Sequence, residues 1–273
     1  MTLTERAPAK INLCLYLGGT RPDGRHELKT VMEPLELADT VTLEPAGSDG
    51  DEVVCPGVEG PNLAASALAA FREATGWDGP PVRLTIDKRI PVAAGMAGGS
   101  ADAAAALRLA QRASGLGDDA LLHELAAALG SDVPSQVRPR RVLVTGAGER
   151  LAPVAPAQRP YGVLVLPSHH QLSTGAVYAE ADRLGLQRPS LDGLDTSARV
   201  NDLEPAARSL LPAIDEALDA ARAAGAEHAM VSGSGPTVLG FFATPDEARR
   251  GAERLRGRDP APVVTRPLPA GAS

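Results

Sequence analysis

The sequence is poor in aromatic residues: Phe, Tyr and Trp together make up 3% of 273 positions. A core of this size must be filled mainly by Ala, Val, Leu and Ile, and each of the few rings is worth locating. Cysteine is nearly absent. Cys14 and Cys55 alone suggest neither a disulfide framework nor a zinc site, and Cys14, inside the apolar run Ile11–Leu17, is expected to pack as a small hydrophobe. Lysine is almost as scarce. The 27 basic residues include only Lys10, Lys29 and Lys88, so 24 are arginine, and a compact, tunable ammonium at a functional site has to come from one of those three. No apolar run reaches membrane-spanning length. The stretch Thr-Leu-Thr-Glu-Arg after Met1 has no apolar signal-peptide region, so a reducing cytosol is the expected compartment and no membrane partner is expected. A formal charge of −7 without a long basic run speaks against general nucleic-acid binding. It does not exclude a nucleotide, which needs only a local positive site.

With 44% hydrophobic and 22% charged residues, the chain has a globular composition and room for one large or two modest domains. Strands are expected over 9–17 and 40–44, flanking a polar turn that contains Pro22-Asp23-Gly24. A helix over 62–75 stops at Gly76, and a strand follows over 82–86. Ser100 is expected to cap a helix that ends at Gly115, and a further helix lies between Asp118 and Gly130. Ser131-Asp132-Val133-Pro134 reads as another helix start, with proline tolerated in the first turn. The proline-rich stretch 151–160 is the expected linker, dividing residues 1–155 from 156–273. Beyond it come a strand (161–166), helices (174–184 and 203–224), two strands (228–232 and 238–242), a helix (246–256) and a strand (262–266). That β-α-β-β-α-β order fits a ferredoxin-like layer.

The most informative stretch is Pro91-Val92-Ala93-Ala94-Gly95-Met96-Ala97-Gly98-Gly99-Ser100-Ala101, which runs into an Ala-rich helix. Glycines let a backbone approach a ligand, and a helix N-terminus offers free N–H groups and positive potential, so together they suit an anion such as phosphate. The loop has neither the Gly-Lys-Ser/Thr ending of a Walker A motif nor the G-x-G-x-x-G spacing of a Rossmann turn. Taken alone it is equally an ordinary strand-to-helix turn. A second such loop, Ser232-Gly233-Ser234-Gly235, lies between two strands and by itself is a simple strand connection. Lys10 opens an otherwise apolar strand, where its ammonium either meets an anion in a cleft or snorkels to solvent; Asn12 shares its face. Asp132 is either a helix N-cap or a carboxylate with a function. His123, His169 and His170 show no metal-ligand spacing.

In order along the chain, Pro-Ala-Lys-x-Asn-Leu, the glycine loop, Gly-Ser-Asp-Val-Pro and Ser-Gly-Ser-Gly-Pro-Thr closely resemble the GHMP kinase superfamily, over nearly the whole length from Pro8 to about Phe242. The turn Arg21–His26 with Glu27-Leu28 is similar to the branch that acts on a CDP-linked methylerythritol in non-mevalonate isoprenoid synthesis. The resemblance implies a two-domain α+β fold, with an N-terminal domain like domain 2 of ribosomal protein S5, a ferredoxin-like C-terminal domain and an active-site cleft between them. It implies ATP as donor, Mg²⁺ as cofactor, residues 91–101 around the phosphates, and Ser100 as a possible Mg²⁺ ligand. Asp132 resembles the family's catalytic base and Lys10 its active-site lysine. Asn62, Leu63 and Lys88 match positions near adenine, although Lys88 reads equally as a solvated strand end. Asn12, Arg25, His26, Thr174 and Tyr178 fall at the substrate, with Tyr178 matching an aromatic that stacks on the base. Arg25 departs from the pattern, because an aromatic usually stands there; a guanidinium also stacks on flat rings. Other acceptors such as homoserine or mevalonate, and nucleotide binding without catalysis, stay open on the residues alone, as does the oligomeric state.

Overall fold

A computed structural model describes residues 2–92, 94–269 and 271. The chain begins with two very long strands, β1 (Leu3–Thr20) and β2 (His26–Pro45), paired antiparallel. The expected strands 9–17 and 40–44 are the apolar stretches of these longer ones. The turn between them shrinks to Arg21–Arg25, closed by the Arg21 N–H on the Arg25 carbonyl at 2.7 Å. β2 is long enough to serve two neighbours along one edge. Its residues 40–45 pair with β4 (Val82–Asp87), and its residues 28–32 pair with β5 (Val142–Gly146). β3 (Glu52–Val54) extends the sheet beyond β4, and β6 (Arg150–Pro153) pairs with β5. The proline-rich stretch is therefore part strand, and Pro153 is tolerated because β6 lies at an edge.

One face of this sheet is covered by α1 (Leu63–Thr75), α2 (Gly98–Ser114) and α3 (Asp119–Leu129), with the short α4 (Val133–Val137) behind α2. α2 is the centre of the layer. Ala101, Ala103 to Ala106, Leu107, Leu109 and Ala110 are all 1% exposed or less. Small side chains on every face let strands and helices approach it closely, as suits a helix surrounded by protein. Arg108 is the polar exception. Its guanidinium donates to the carbonyls of Arg6 (2.8 Å) and Gln136 (2.7 Å) and to Glu5 Oε2 (3.2 Å), which ties β1, α2 and the end of α4 together.

The second sheet has the order β11-β7-β10-β9, formed by β7 (Gly162–Leu166), β9 (His228–Val231), β10 (Val238–Phe242) and β11 (Val263–Thr265). All its pairings are antiparallel, which is the ferredoxin-like order. One face carries α7 (Ile214–Ala223) and α8 (Pro245–Arg254), and α5 (Thr174–Leu184) joins the same core through Val177 and Ala181. The other packs on the first sheet, where Ile11, Leu13 and Leu35 meet Val163, Val165 and Leu239. The expected helix 203–224 is two helices, α6 (Glu204–Leu210) and α7, because Pro212 lacks the N–H that would continue the ladder. One short strand, β8 (Val200–Asn201), leaves the C-terminal half and pairs parallel with Cys14 and Leu15 of β1. Its two residues carry no periodicity by which a sequence reading could find it. Among the described residues, no helix is long and apolar enough to cross a membrane.

Arg108→Ala leaves Glu5 one partner short and removes the donor from the carbonyls of Arg6 and the buried Gln136. The expected loss is about 3 kcal/mol or more of unfolding free energy, read as a lower urea midpoint at unchanged slope. An unchanged midpoint would mean that α4 is held by other contacts.

Candidate active site

β1 is irregular where it reaches the site. Its register with β2 shifts between Pro8 and Lys10 and again between Asn12 and Cys14, and such bulges re-aim side chains. At the first shift the Lys10 N–H bonds the Met96 carbonyl in the glycine loop at 3.1 Å. The Lys10 side chain is 6% exposed, and its Nζ lies 3.4 Å from Asp132 Oδ2. The ammonium also donates to Asn12 Oδ1 at 3.0 Å. Asn12 Nδ2 donates to Thr30 Oγ1 (2.7 Å), and that hydroxyl donates to the Cys14 carbonyl (2.5 Å). Thr30 and Asn12 thus fix the amide so that its oxygen faces the lysine. Lys10 is not a snorkelling surface lysine. Asp132 stands before α4, but its side chain makes no capping bond; it turns toward Lys10 and stays about one-third exposed.

The glycine loop meets the second glycine loop directly. Gly95 has φ +66°, and a Cβ there would lie 2.3 Å from the Ser232 carbonyl. Ser232, fully buried, donates its hydroxyl to the Gly95 carbonyl at 3.1 Å. Asn201 holds the second loop from behind, donating to the carbonyls of Val231 (3.0 Å) and Gly233 (2.7 Å). Thr174 Oγ1 lies 3.2 Å from Ser234 Oγ. The start of α2 differs from expectation. Its N-cap is Ala97, with φ +55°, and Ser100 lies within the first turn. Gly98, the first residue of the helix, fits closely over Lys88 and Ile90, where a Cβ would lie 3.2 Å from Lys88 Nζ. Ala93 lies outside the described residues.

Two cavities open on either side of this loop, and Gly95 and Ala97 line both. The larger, about 610 Å³, holds Lys10, Asn12, Asp132, Arg25, His26, Thr174 and Tyr178. His26 and Tyr178 face each other at a ring separation of 5.0 Å, and His26 Nε2 lies 2.7 Å from Asp182 Oδ1. Burial pushes the Tyr178 hydroxyl well above its ordinary pKa, and the charge of Asp132 adds to the effect. Arg25 sits at the rim with its guanidinium on Asp23 Oδ2 at 3.0 Å, and the ring facing Tyr178 is that of His26.

The smaller cavity, about 340 Å³, is lined by Asn62, Leu63, Lys88 and the loop. Asn62 caps α1 through Oδ1, which accepts from the Ala64 N–H at 2.9 Å. Lys88 is largely enclosed, its side chain 14% exposed, and it donates to Asp39 and Asp102. Burial pulls its pKa down, but the two carboxylates outweigh that and raise it. Burial pushes Asp102 up to about 6, against the lowering effect of Lys88. Thr30, Asp39, Asp102 and Asn201 are site residues that the sequence reading missed; each looks like an ordinary polar residue of a strand or helix.

The architecture and the paired glycine loops can be set beside known proteins. The GHMP kinase N-terminal domain matches residues 62–138, and the GHMP kinase C-terminal model matches 185–260. A 4-diphosphocytidyl-2-C-methyl-D-erythritol kinase of Streptomyces coelicolor is 44% identical, over 89% of this chain and 88% of its own length. The chain belongs to this family of GHMP kinases. A relative of the same name from Kineococcus radiotolerans is 42% identical over 93% of this chain and 89% of its own. The crystal structure of a 4-(cytidine 5'-diphospho)-2C-methyl-D-erythritol kinase, 35% identical, superposes with a TM-score of 0.82 over 98% of this chain and 100% of that one. The homoserine kinase of Cytophaga hutchinsonii, 16% identical with a TM-score of 0.71, shares the fold. GHMP kinases use ATP as phosphate donor for small-molecule acceptors, so this chain is a kinase with two cavities meeting at a glycine loop.

Gly95→Ala forces the two glycine loops apart in a left-handed backbone position. It is expected to cost about 1–3 kcal/mol of stability and to weaken ATP binding measured by titration calorimetry. Unchanged ATP affinity would show that the loop contact is dispensable.

Proposed function

We propose that this kinase transfers the γ-phosphoryl group of ATP to the 2-hydroxyl of 4-diphosphocytidyl-2-C-methyl-D-erythritol, with Asp132 as general base and Lys10 as its charge partner. One observation carries the reading: Lys10 Nζ and Asp132 Oδ2 lie 3.4 Å apart, on a wall of the larger cavity that also includes Gly95 of the glycine loop. The names of the relatives and of the solved structure supply the acceptor. Residues 1–155 carry the ATP site in this reading, and residues 156–273 supply the second glycine loop and Tyr178.

Phosphoryl transfer asks for positioning and charge neutralisation more than for covalent help from the protein. ATP takes the smaller cavity, with adenine toward Asn62 and Leu63 and the phosphates on the loop amides and the N-terminus of α2. The acceptor takes the larger one, with cytosine at His26 and Tyr178 and its hydroxyl at Asp132. The hydroxyl proton passes to the Asp132 carboxylate as the oxygen bonds to the γ-phosphorus; the bond from that phosphorus to the β,γ-bridging oxygen breaks, and ADP leaves. Lys10 offsets the charge that gathers on the attacking oxygen.

Mg²⁺ fits this arrangement as an ion brought in on the phosphates. Among the described residues no cluster of three or more His, Cys, Asp or Glu side chains could hold a metal, and Mg²⁺ keeps several waters and needs few protein ligands. The half-exposed Ser100 hydroxyl in the first turn of α2, not serving as N-cap, would be its protein ligand. Bound there, the ion would neutralise charge on the phosphates.

ADP release measured against the CDP-linked alcohol, homoserine and mevalonate tests the acceptor. Turnover of homoserine or mevalonate with none of the CDP-alcohol would overturn it. Asp132→Asn is expected to lower kcat by about 10²- to 10⁴-fold with little change in KM, and Lys10→Met to act similarly; near-normal kcat in either variant removes that residue from the chemistry. Tyr178→Ala is expected to weaken acceptor binding by about 1–3 kcal/mol, seen as a raised KM with kcat less affected. An unchanged KM would place the base elsewhere.

A further inference from the structure

Asp39 is fully buried and lies on β2 opposite Ala7 of β1. Its Oδ1 accepts the backbone N–H groups of Arg89 (2.5 Å) and Ile90 (2.8 Å), which lie immediately before Pro91. Its Oδ2 accepts from Lys88 Nζ. The same ammonium donates to Asp102 Oδ2 at 2.8 Å, on the early turns of α2. A Cβ added to Gly98 would lie 3.2 Å from that Nζ. Both ends of the segment 91–97 are therefore fastened to one carboxylate: the near end by two amides, the far end through Lys88 and Asp102.

Packing alone does not ask for this cluster. Two carboxylates and an ammonium removed from water carry a desolvation cost, and apolar residues of similar volume often serve stability equally well or better. Asp102 adds to the cost, since its Oδ1 is buried with no hydrogen-bond partner. What the ionic cluster supplies, and an apolar patch would not, is direction: fixed acceptors that set where the loop begins and where α2 starts. Lys88 and Asp102 also line the smaller cavity, so the fastening lies beneath the place where a nucleotide would sit.

We infer that Asp39 is a positioning residue for ATP, setting the span of the phosphate loop through the Arg89 and Ile90 amides and through Lys88. The inference rests on the reading of the smaller cavity as the ATP site. Asp39 touches neither substrate. It acts by holding loop amides and the N-terminus of α2 at the separation that the phosphates need, so its effect falls on the nucleotide and not on the acceptor.

Steady-state kinetics and direct titration with a non-hydrolysable ATP analogue test this on the full chain. Asp39→Asn keeps an acceptor for the amides but loses the charge that draws Lys88. It is expected to raise the KM for ATP and the Kd for the analogue about tenfold or more, with the acceptor KM within about twofold of the parent. Lys88→Met, which cuts the tie to α2 while leaving the two amide bonds, is expected to shift the same constants in the same direction, and it carries the test if Asp39→Asn does not fold. Nucleotide affinity unchanged in the folded variants overturns the inference, as does a parallel rise of both KM values in step with a falling Tm, the signature of a merely structural role. Failure of the parent itself to bind the analogue would instead overturn the reading of the cavity, and the inference with it. Binding by the parent with equal binding by the variants defeats only the role of Asp39.

Discussion

An ammonium and a carboxylate more than a hundred residues apart in sequence meet at Lys10 and Asp132, and much of the fold can be understood as what brings and keeps them there. Lys10 reaches the pair because β1 breaks register on both sides of it. Its Nζ is aimed by Asn12, which is in turn fixed by Thr30. Asp132 is held from the other side, since α4 is a helix of five residues and has little stability of its own. Arg108 takes up its last carbonyls and joins them to α2 and β1. An ion pair with one partner buried and the other about one-third exposed contributes little to stability as such. Its value lies in an accessible carboxylate held within reach of a positive charge.

The second constraint is the contact between glycine loops. Gly95 and Ser232 come from opposite halves of the chain, and the carbonyl of Ser232 occupies the space a side chain on residue 95 would need. Backbone therefore lies against backbone, and a ligand on the first loop is supported by the second sheet through Ser232 and Asn201. A single sheet with helices on one face leaves such a loop free to move; two sheets packed through Ile11, Val163 and Leu239 do not.

The residues that could be read from the sequence were those whose chemistry conflicts with their surroundings. A lysine in an apolar strand, in a chain with almost no lysine, stands out, and so does a glycine-rich run ahead of an Ala-rich helix, although each alone left a bland reading open. Asp132 was readable only in part, because an aspartate before Val-Pro satisfies the rules for an N-cap equally well; the absence of a capping bond is visible only in three dimensions. Thr30, Asp39 and Asn201 were not legible. Threonine in a strand is unremarked, and the donors to Asp39 and the carbonyls that Asn201 holds lie 49 to 51 and 30 to 32 positions away. The ferredoxin-like order was legible because its strands are apolar and evenly punctuated. The break at Pro212 was legible in principle, since proline cannot continue a helix, but the apolar periodicity on both sides of it hid the interruption. Ser100 was misplaced as a cap because its residue type suits the position, whereas the helix starts at Gly98, which fits closely over Lys88 and Ile90, after Ala97 in a left-handed conformation.

The strand β8 has a consequence for how such a protein can be taken apart. Val200 and Asn201 belong by sequence to the C-terminal half, yet they pair with Cys14 and Leu15 at the edge of the first sheet. A chain cut at the proline-rich segment would leave that sheet with an open edge, which is prone to pairing with other chains. It would also leave the loop 231–235 fastened to a strand whose partner is missing. The two halves of the chain thus share a sheet edge, and chimeras that exchange halves between homologous kinases should carry the matching stretches of β1 and β8 together.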